Sequence, residues 1–421
     1  MIQVQLSMYF CATLMEFITS ILENNLRVVT QQKPKSQVGH FGITFNVGSR
    51  DELDHEQGLA HFLEHTLFKG TNKRKAFHVL SRLDAIGGEL NAYTTKEEIC
   101  IYASFQKSHL ARAIELIADI AFNSSFPVKE LEKEKDVILD EINGYLDSPS
   151  DRIFDDFDAL SYPTSAFGKN ILGTPESVRG FTRATTLAFF QRFFATNNAV
   201  ISYVGAASND RVVSIIKRYF EPFTVQKEIP KRRVPEYAMG IQESVNLDLN
   251  QSHVLLGFQA PSLQSGKRRA ATLMNNLLGG PGLNSILNIN IREKHGIAYQ
   301  IESSYIPSTD TGQLQIYFAT EKEAVERCLK LIQKEVEKLK NKELSPLKLN
   351  QVKKQLIGHV ALAQESNCNT MQGLGKSLLH FDRIETDEEV FKGIQAITSK
   401  DILESANQIF DWDNRNALFF H

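Results

Sequence analysis

Glu98-Ile-Cys-Ile-Tyr-Ala-Ser-Phe105 reads as a strand, and its Ile101-Tyr102 returns as Ile316-Tyr317. Downstream, Ile117 is matched by Ile332, Val137 by Val352 and Ile142 by Ile357, each pair separated by the same 215 positions (101 to 316, 142 to 357). Both copies read strand, helix, short loop, helix. An element order shared over about forty residues without a gap argues for duplication. The chain is therefore read as α+β, with two related domains, each a mainly antiparallel sheet with helices packed on one face.

Outward from that strand, Leu26–Val29 and Gly39–Gly48 have strand patterns, and Glu56–Phe68 turns helical with Leu59, Phe62, Leu63, Thr66 and Leu67 on one side. Further helices are predicted over Phe77–Ile86, ended by Gly87-Gly88, and over Leu110–Phe122 and Val128–Leu146. Residues 221–240, with Pro222, Pro230, Lys231-Arg232-Arg233 and Pro235, form the expected linker between a first domain at 15–220 and a second at 241–421. The basic triplet is expected to be solvated.

Composition narrows the partners. The 421 residues are 42% hydrophobic and 23% charged, and Lys+Arg 47 against Asp+Glu 50 leaves a net charge of -3, so no basic field advertises nucleic acid. Cys11, Cys100, Cys328 and Cys368 are scattered without a CxxC pair and read as reduced thiols. No run reaches the roughly 18 apolar residues of a membrane span. Met8–Met15 is apolar, but the first basic residue is Arg27 and no A-x-A site follows. Residues 1–14 are thus expected to be an extension ahead of a working start near Met15. The expected compartment is the cytoplasm, with periplasm or an organelle as the alternative if that segment is a targeting signal.

His61-Phe62-Leu63-Glu64-His65 carries the chemistry. On a helix, His65 lies about 40° from His61 and Glu64 about 60° to the other side, so all three share one arc. Two imidazoles at that spacing suit one zinc ion with a carboxylate beside its open position, and H-x-x-E-H is the short inverzincin pattern. The bland alternative is an amphipathic helix with chance histidines. A catalytic zinc wants a third protein ligand, and Glu141 is the candidate. Its match in the second half is Leu356, which suggests partial burial and hence a partner. Glu134, two turns earlier, shares its face while Val137 and Ile138 are expected to pack inward; by pattern alone Glu134 is a solvated charge.

At this point the chain resembles the pitrilysin (insulinase) family of metallopeptidases, in particular its short members such as mitochondrial processing peptidase. The likeness runs from Met15 onward through Leu22–Val29, where the family usually has Asn-Gly at the turn and this chain has Asn24-Asn25, and through Gly58–Thr71. Gly87–Thr94, Ile171–Val178 and Arg292–Tyr299 also fit. The resemblance implies one zinc per chain on His61, His65 and Glu141, Glu64 as general base, and Glu134 as a support. It further implies that Asn91 and Ala92 lie where an extended peptide adds to a sheet edge, and that Arg292 and Tyr299 reach the substrate from the second domain. Alone, Tyr299 reads as a half-buried strand tyrosine and Arg292 as half of a surface ion pair. Gly279–Ile286 departs from the methionine, serines and arginine of relatives.

The resulting expectation is a zinc endopeptidase of unfolded peptides or extended segments, closed into a two-layer chamber and working as a homodimer. The alternative is an inactive member serving as an assembly or substrate-presenting subunit. A processing peptidase for targeting sequences would need an acidic lining, which Asp151, Asp155, Asp156 and Asp158 could supply; a solvated face is the plainer reading.

Overall fold

The structure, a computed structural model, describes residues 17–223, 225 and 228–421. The predicted extension at 1–14, the start near Met15 and Cys11 lie outside the described residues. The first half runs β1 (Phe17–Ile21), β2 (Arg27–Gln32), β3 (Val38–Phe45), α1 (Leu59–Leu67), α2 (Ala76–Asp84), β4 (Glu89–Thr94), β5 (Ile99–Gln106), α3 (Leu110–Asn123), α4 (Val128–Leu146), α5 (Pro149–Ser161), α6 (Pro175–Gly180), α7 (Arg183–Phe193), β6 (Ala199–Gly205) and α8 (Asn209–Phe220). The second runs β7 (Gln242–Val245), β8 (Ser252–Gln259), α9 (Arg268–Gly279), β9 (Ala298–Pro307), β10 (Gly312–Thr320), α10 (Val325–Asn341), α11 (Pro346–Gln364), α12 (Asn367–Phe381), α13 (Asp387–Ala396), α14 (Ser399–Ile409) and β11 (Asn416–Phe420). Between them, the described part of 221–240 holds neither helix nor strand.

The two sheets have one design. The first is ordered β1-β2-β6-β3-β5-β4 and the second β7-β11-β8-β10-β9. Each is antiparallel except for one pair, β2 with β6 and β7 with β11. The predicted duplication is therefore present strand by strand in the sheets, with β1 the extra edge strand of the first half and α2 and α8 its helices without an α-helical counterpart in the second. Alternation fixes the faces: Phe41, Ile43 and Phe45 of β3 sit beside Ile99, Ile101 and Ala103 of β5 and bury against α1 and α3.

The opposite faces are covered by exchange. Met371, Leu374 and Leu378 of α12, from the second half, pack on Val29, Val200 and Val204 of the first sheet. Ile153, Phe157 and Leu160 of α5, from the first half, pack on Leu255, Tyr317 and Leu418 of the second. The close approach needs small residues: a Cβ on Gly257 would lie 2.3 Å from the Phe157 ring. The acidic run on α5 is accordingly no simple solvated face. Asp156 pairs with Arg152 at 2.9 Å, and burial pushes Asp158 up to about 6 although Lys96 stands 3.6 Å away and opposes the shift.

A charge network ties the halves together. Arg50 bonds Glu97 at 2.5 Å and both oxygens of Asp310 at 2.8 and 2.9 Å. Glu97 also accepts from Thr309 N–H at 2.9 Å. Arg232 grips Asp51 with two bonds, at 2.8 and 2.7 Å, and donates to the Glu97 carbonyl at 2.7 Å. The expectation of a solvated basic triplet is corrected here: Lys231 and Arg233 are exposed, but the Arg232 side chain is only 14% exposed because its planar fork fits the Asp51 carboxylate.

Candidate metal centre

The helix that carries H-x-x-E-H, α1, is anchored from below and capped from within. Phe62 and Leu63 are fully buried in the first core, turning His61, Glu64 and His65 the other way. Gly58 precedes the helix at φ 89°, against Gly173 at φ 80°; a Cβ on Gly58 would come within 2.6 Å of the Gly173 Cα, so both positions need glycine. The buried Glu52 accepts the orphan N–H groups of Gly58 and Ala60 at 2.9 and 2.8 Å. Burial drives that carboxyl up to about 8 against the pull of those two donors.

Across from α1, α4 brings the acids. His61 Nε2 lies 3.8 Å and His65 Nε2 3.6 Å from the same Glu141 oxygen, and one ligand atom from each of the three residues falls within 4.8 Å of the others. Glu134 Oε1 is 3.0 Å from His65 Nδ1. A carboxylate oxygen only accepts, so Nδ1 carries the proton, and in the neutral ring the lone pair is on Nε2, the nitrogen on the Glu141 side. Burial, helped by the neighbouring His65, takes His61 down to about 4, which keeps it neutral. Two imidazole nitrogens and one carboxylate oxygen converging in this way fit zinc.

The remaining groups are tuned by the same surroundings. Burial raises the Glu64 pKa, assisted by the charge of Glu141 and opposed by Thr94 and His65. Burial would lower His65, but Glu134, Glu141 and Glu64 outweigh it and the net shift is upward. Burial would raise Glu134, yet His65 and Lys69 reverse the direction.

Three readings of α4 from pattern alone are corrected. Glu134 is no solvated charge, its side chain being 8% exposed, whereas Glu141, expected to be partly buried, is 44% exposed. Val137 is also half exposed rather than packed inward. At 100° per residue, Glu134, Ile138, Leu131, Ile142 and Lys135 fill one arc of about 100°, leaving Glu141 about 20° and Val137 about 60° outside it.

Asn91 and Ala92 lie on β4, which among the described residues pairs only with β5 and leaves its outer edge unpaired, with Thr94 at its end beside Glu64. Arg292 and Tyr299 are placed elsewhere. Arg292 sits on a π-helical turn, exposed, 3.4 Å from Asn288 Oδ1; it does not pair with Glu293. Tyr299 is 53% exposed and donates to Glu321 at 2.7 Å. Among the described residues no hydrogen bond or ion pair joins either to α1 or α4. Gly279–Ile286 follows α9, with Asn284 bonded to Gln355 of α11. Glu52, Lys69 and Thr94 are the site-supporting residues that pattern reading passed over; only their nearness to the metal motif could have flagged them.

Residues 27–175 match the family described as Insulinase (Peptidase family M16), and 180–356 match its companion, described as Peptidase M16 inactive domain. A protein of Rickettsia felis named an uncharacterized zinc protease is 32% identical over 402 residues, covering 96% of this chain and 97% of its own. The chain belongs to the insulinase family. A Bacillus subtilis relative of the same description is 30% identical over 398 residues, 94% of this chain and 96% of that one. In fold, this insulinase-family chain superposes on a protease from Helicobacter pylori at TM-score 0.90 and 22% identity, covering 97% of this chain and all of that one. A Pseudomonas fluorescens structure titled as the inactive domain gives 0.89 at 20% identity, covering 96% and 97%. The second match ends within α11, and β6, inside the first sheet, falls beyond residue 180. No helix of the described residues is long and apolar enough to cross a membrane.

Proposed function

We propose that this chain is an active zinc endopeptidase of unfolded peptides or extended segments. The observation that carries the proposal is the convergence of His61, His65 and Glu141 with Glu64 on the same helix face. Zinc, when bound there, supplies Lewis acidity and a water acidic enough to serve as a nucleophile near neutral pH. Glu64 is the base: its carboxylate, one residue from a ligand and raised toward neutral pH by burial, takes the water's proton and returns it to the leaving amine. The open edge of β4 offers its unpaired N–H and C=O groups to a peptide, which binds by main-chain bonds with little demand on side chains. A peptide along Asn91 and Ala92 is carried toward Thr94 and hence to Glu64. Tyr299 is proposed as the donor to the developing oxyanion and Arg292 as a substrate clamp; Tyr299 must first leave Glu321 to act so. Two copies of the chain are proposed to form the chamber.

Glu64→Gln against the parent, with a quenched peptide and zinc analysis, tests this. The expected result is retained zinc with hydrolysis reduced at least about 100-fold, the lower end of what general acid–base catalysis supplies. A parent that holds zinc yet cleaves no unfolded peptide would favour the presenting-subunit reading. Native mass tests the dimer.

A further inference from the structure

Lys69 lies two residues past the end of α1, and its Nζ is 2.6 Å from Glu134 Oε2. The other oxygen of Glu134 is the one bonded to His65 Nδ1. Both oxygens of one buried carboxylate are therefore occupied, one by a cation and one by an imidazole. A carboxylate held at one oxygen turns readily about its last torsion, which is broad and nearly two-fold. Partners on both oxygens fix its plane.

His61 has no such support. Its Nδ1 is buried without a hydrogen-bond partner among the described residues, so no polar group holds that ring from behind. The ring of His65, 23% exposed, depends instead on the polar chain behind it. That chain starts and ends on one short piece of backbone, since the N–H of Lys69 bonds the Thr66 carbonyl at 3.1 Å. The ammonium is thus carried by the same helix end as the ligand whose support it steadies.

We propose that Lys69 is a positioning residue of the metal centre: it fixes the Glu134 carboxylate, which in turn holds the His65 ring with Nε2 directed at Glu141. The proposal rests on the reading of His61, His65 and Glu141 as a zinc site. Lys69 does not touch the metal or the substrate; it acts through Glu134. A purely structural role would be the plain neutralisation of a buried acid, which would show in folding stability and not in the geometry at His65.

The test is competition for zinc between a chelator and the full chain, for the parent, Lys69→Met, Lys69→Gln and Lys69→Arg, with melting of the metal-free proteins alongside. Lys69→Met is expected to weaken zinc about 10–100-fold, the usual cost of losing an outer partner of a ligand. Lys69→Arg restores a cation that can reach the same oxygen and is expected to bind zinc within a few-fold of the parent. The visible spectrum of the cobalt-substituted Met variant should differ from the parent's, because the imidazole is no longer held. If Lys69→Met does not fold, Lys69→Gln takes its place, and binding weaker than that of Lys69→Arg supports the proposal. Zinc binding and a cobalt spectrum unchanged in the Met or Gln variant would overturn the proposal while leaving the zinc reading intact. A parent that binds no zinc would overturn both.

Discussion

α4 and α11 stand at the same place in the two halves, and at the common spacing Glu134 and Glu141 of one fall on Leu349 and Leu356 of the other. Leu349 and Leu356 pack partly buried against the second core. Glu134 and Glu141 face the histidines of α1. The scaffold thus does not require acids here; it tolerates leucine and holds the helix by other contacts. Acids on this face are costly unless matched, and the first half supplies the match with His65 and Lys69 at Glu134. The position nearest the buried arc is the better neutralised. The one outside it, Glu141, stays open enough to serve as a ligand.

The most forceful way to erase the difference is Glu141→Leu, which gives the first half the residue of the second. Zinc affinity and peptide hydrolysis should each fall by more than the roughly 10–100-fold that loss of an outer partner costs. Stability of the metal-free chain should move by no more than about 0.5 kcal/mol, as for a surface substitution. Chelator titration, a peptide assay and urea unfolding check the three parts. Tight zinc binding by this variant would remove Glu141 from the ligand set.

Next in size is the seam between the halves. Arg50, with 3% of its side chain exposed, serves Glu97 and Asp310 together. Arg50→Met leaves both acids short of their partner, and breaking a buried pair in this way costs about 3–5 kcal/mol. Urea unfolding should shift accordingly and split into two transitions as the halves lose their coupling. A single transition at the parent's midpoint would show that the exchanged helices α5 and α12 alone unite them.

The reverse swap, Leu356→Glu, sharpens the comparison from the other side. It puts an acid on a half-buried face with no histidine pair assigned opposite, and should cost about 1–3 kcal/mol in thermal or urea unfolding without adding a second zinc or altering hydrolysis. Such positions mark what sequence could and could not disclose. H-x-x-E-H, the carboxylate at 141 and the strand–helix–helix repeat are local patterns, so α3 with α10 and α4 with α11 were legible in the order of residues. The exchange of α5 and α12, Arg232 on Asp51 and the Lys69–Glu134–His65 chain join segments far apart along the chain, and no local period encodes them. Even at α4 the face was legible while its rim was not: Val137 and Glu141 lie just outside an arc whose limits are set by α1.

A further effect separates how the two halves start their corresponding helices. α9 starts with Arg268 and Arg269, which pair with Glu385. α1 starts on Glu52, buried and raised by that burial from 4.5 to about 8. The sign follows from proton counting. Between about pH 4.5 and 8 an unfolded chain has lost this proton while the folded chain keeps it, so the folded state binds more protons and stability falls as pH rises. Glu52→Gln removes that titration. The amide cannot accept from both Gly58 and Ala60, so the variant should be less stable by about 1–3 kcal/mol in acid. At about 1.4 kcal/mol per pH unit the parent loses more between pH 4.5 and 8 than this deficit, so the variant should overtake it before pH 8 and the difference level off above, because only the parent pays the growing cost of a proton held in the fold. Differences between parent and variant cancel the other titrating groups, including His61, His65 and Glu141. A deficit that stays constant over the whole interval would mean that the two N–H donors hold Glu52 ionised at the helix start, and that its burial is fully offset by the helix it caps.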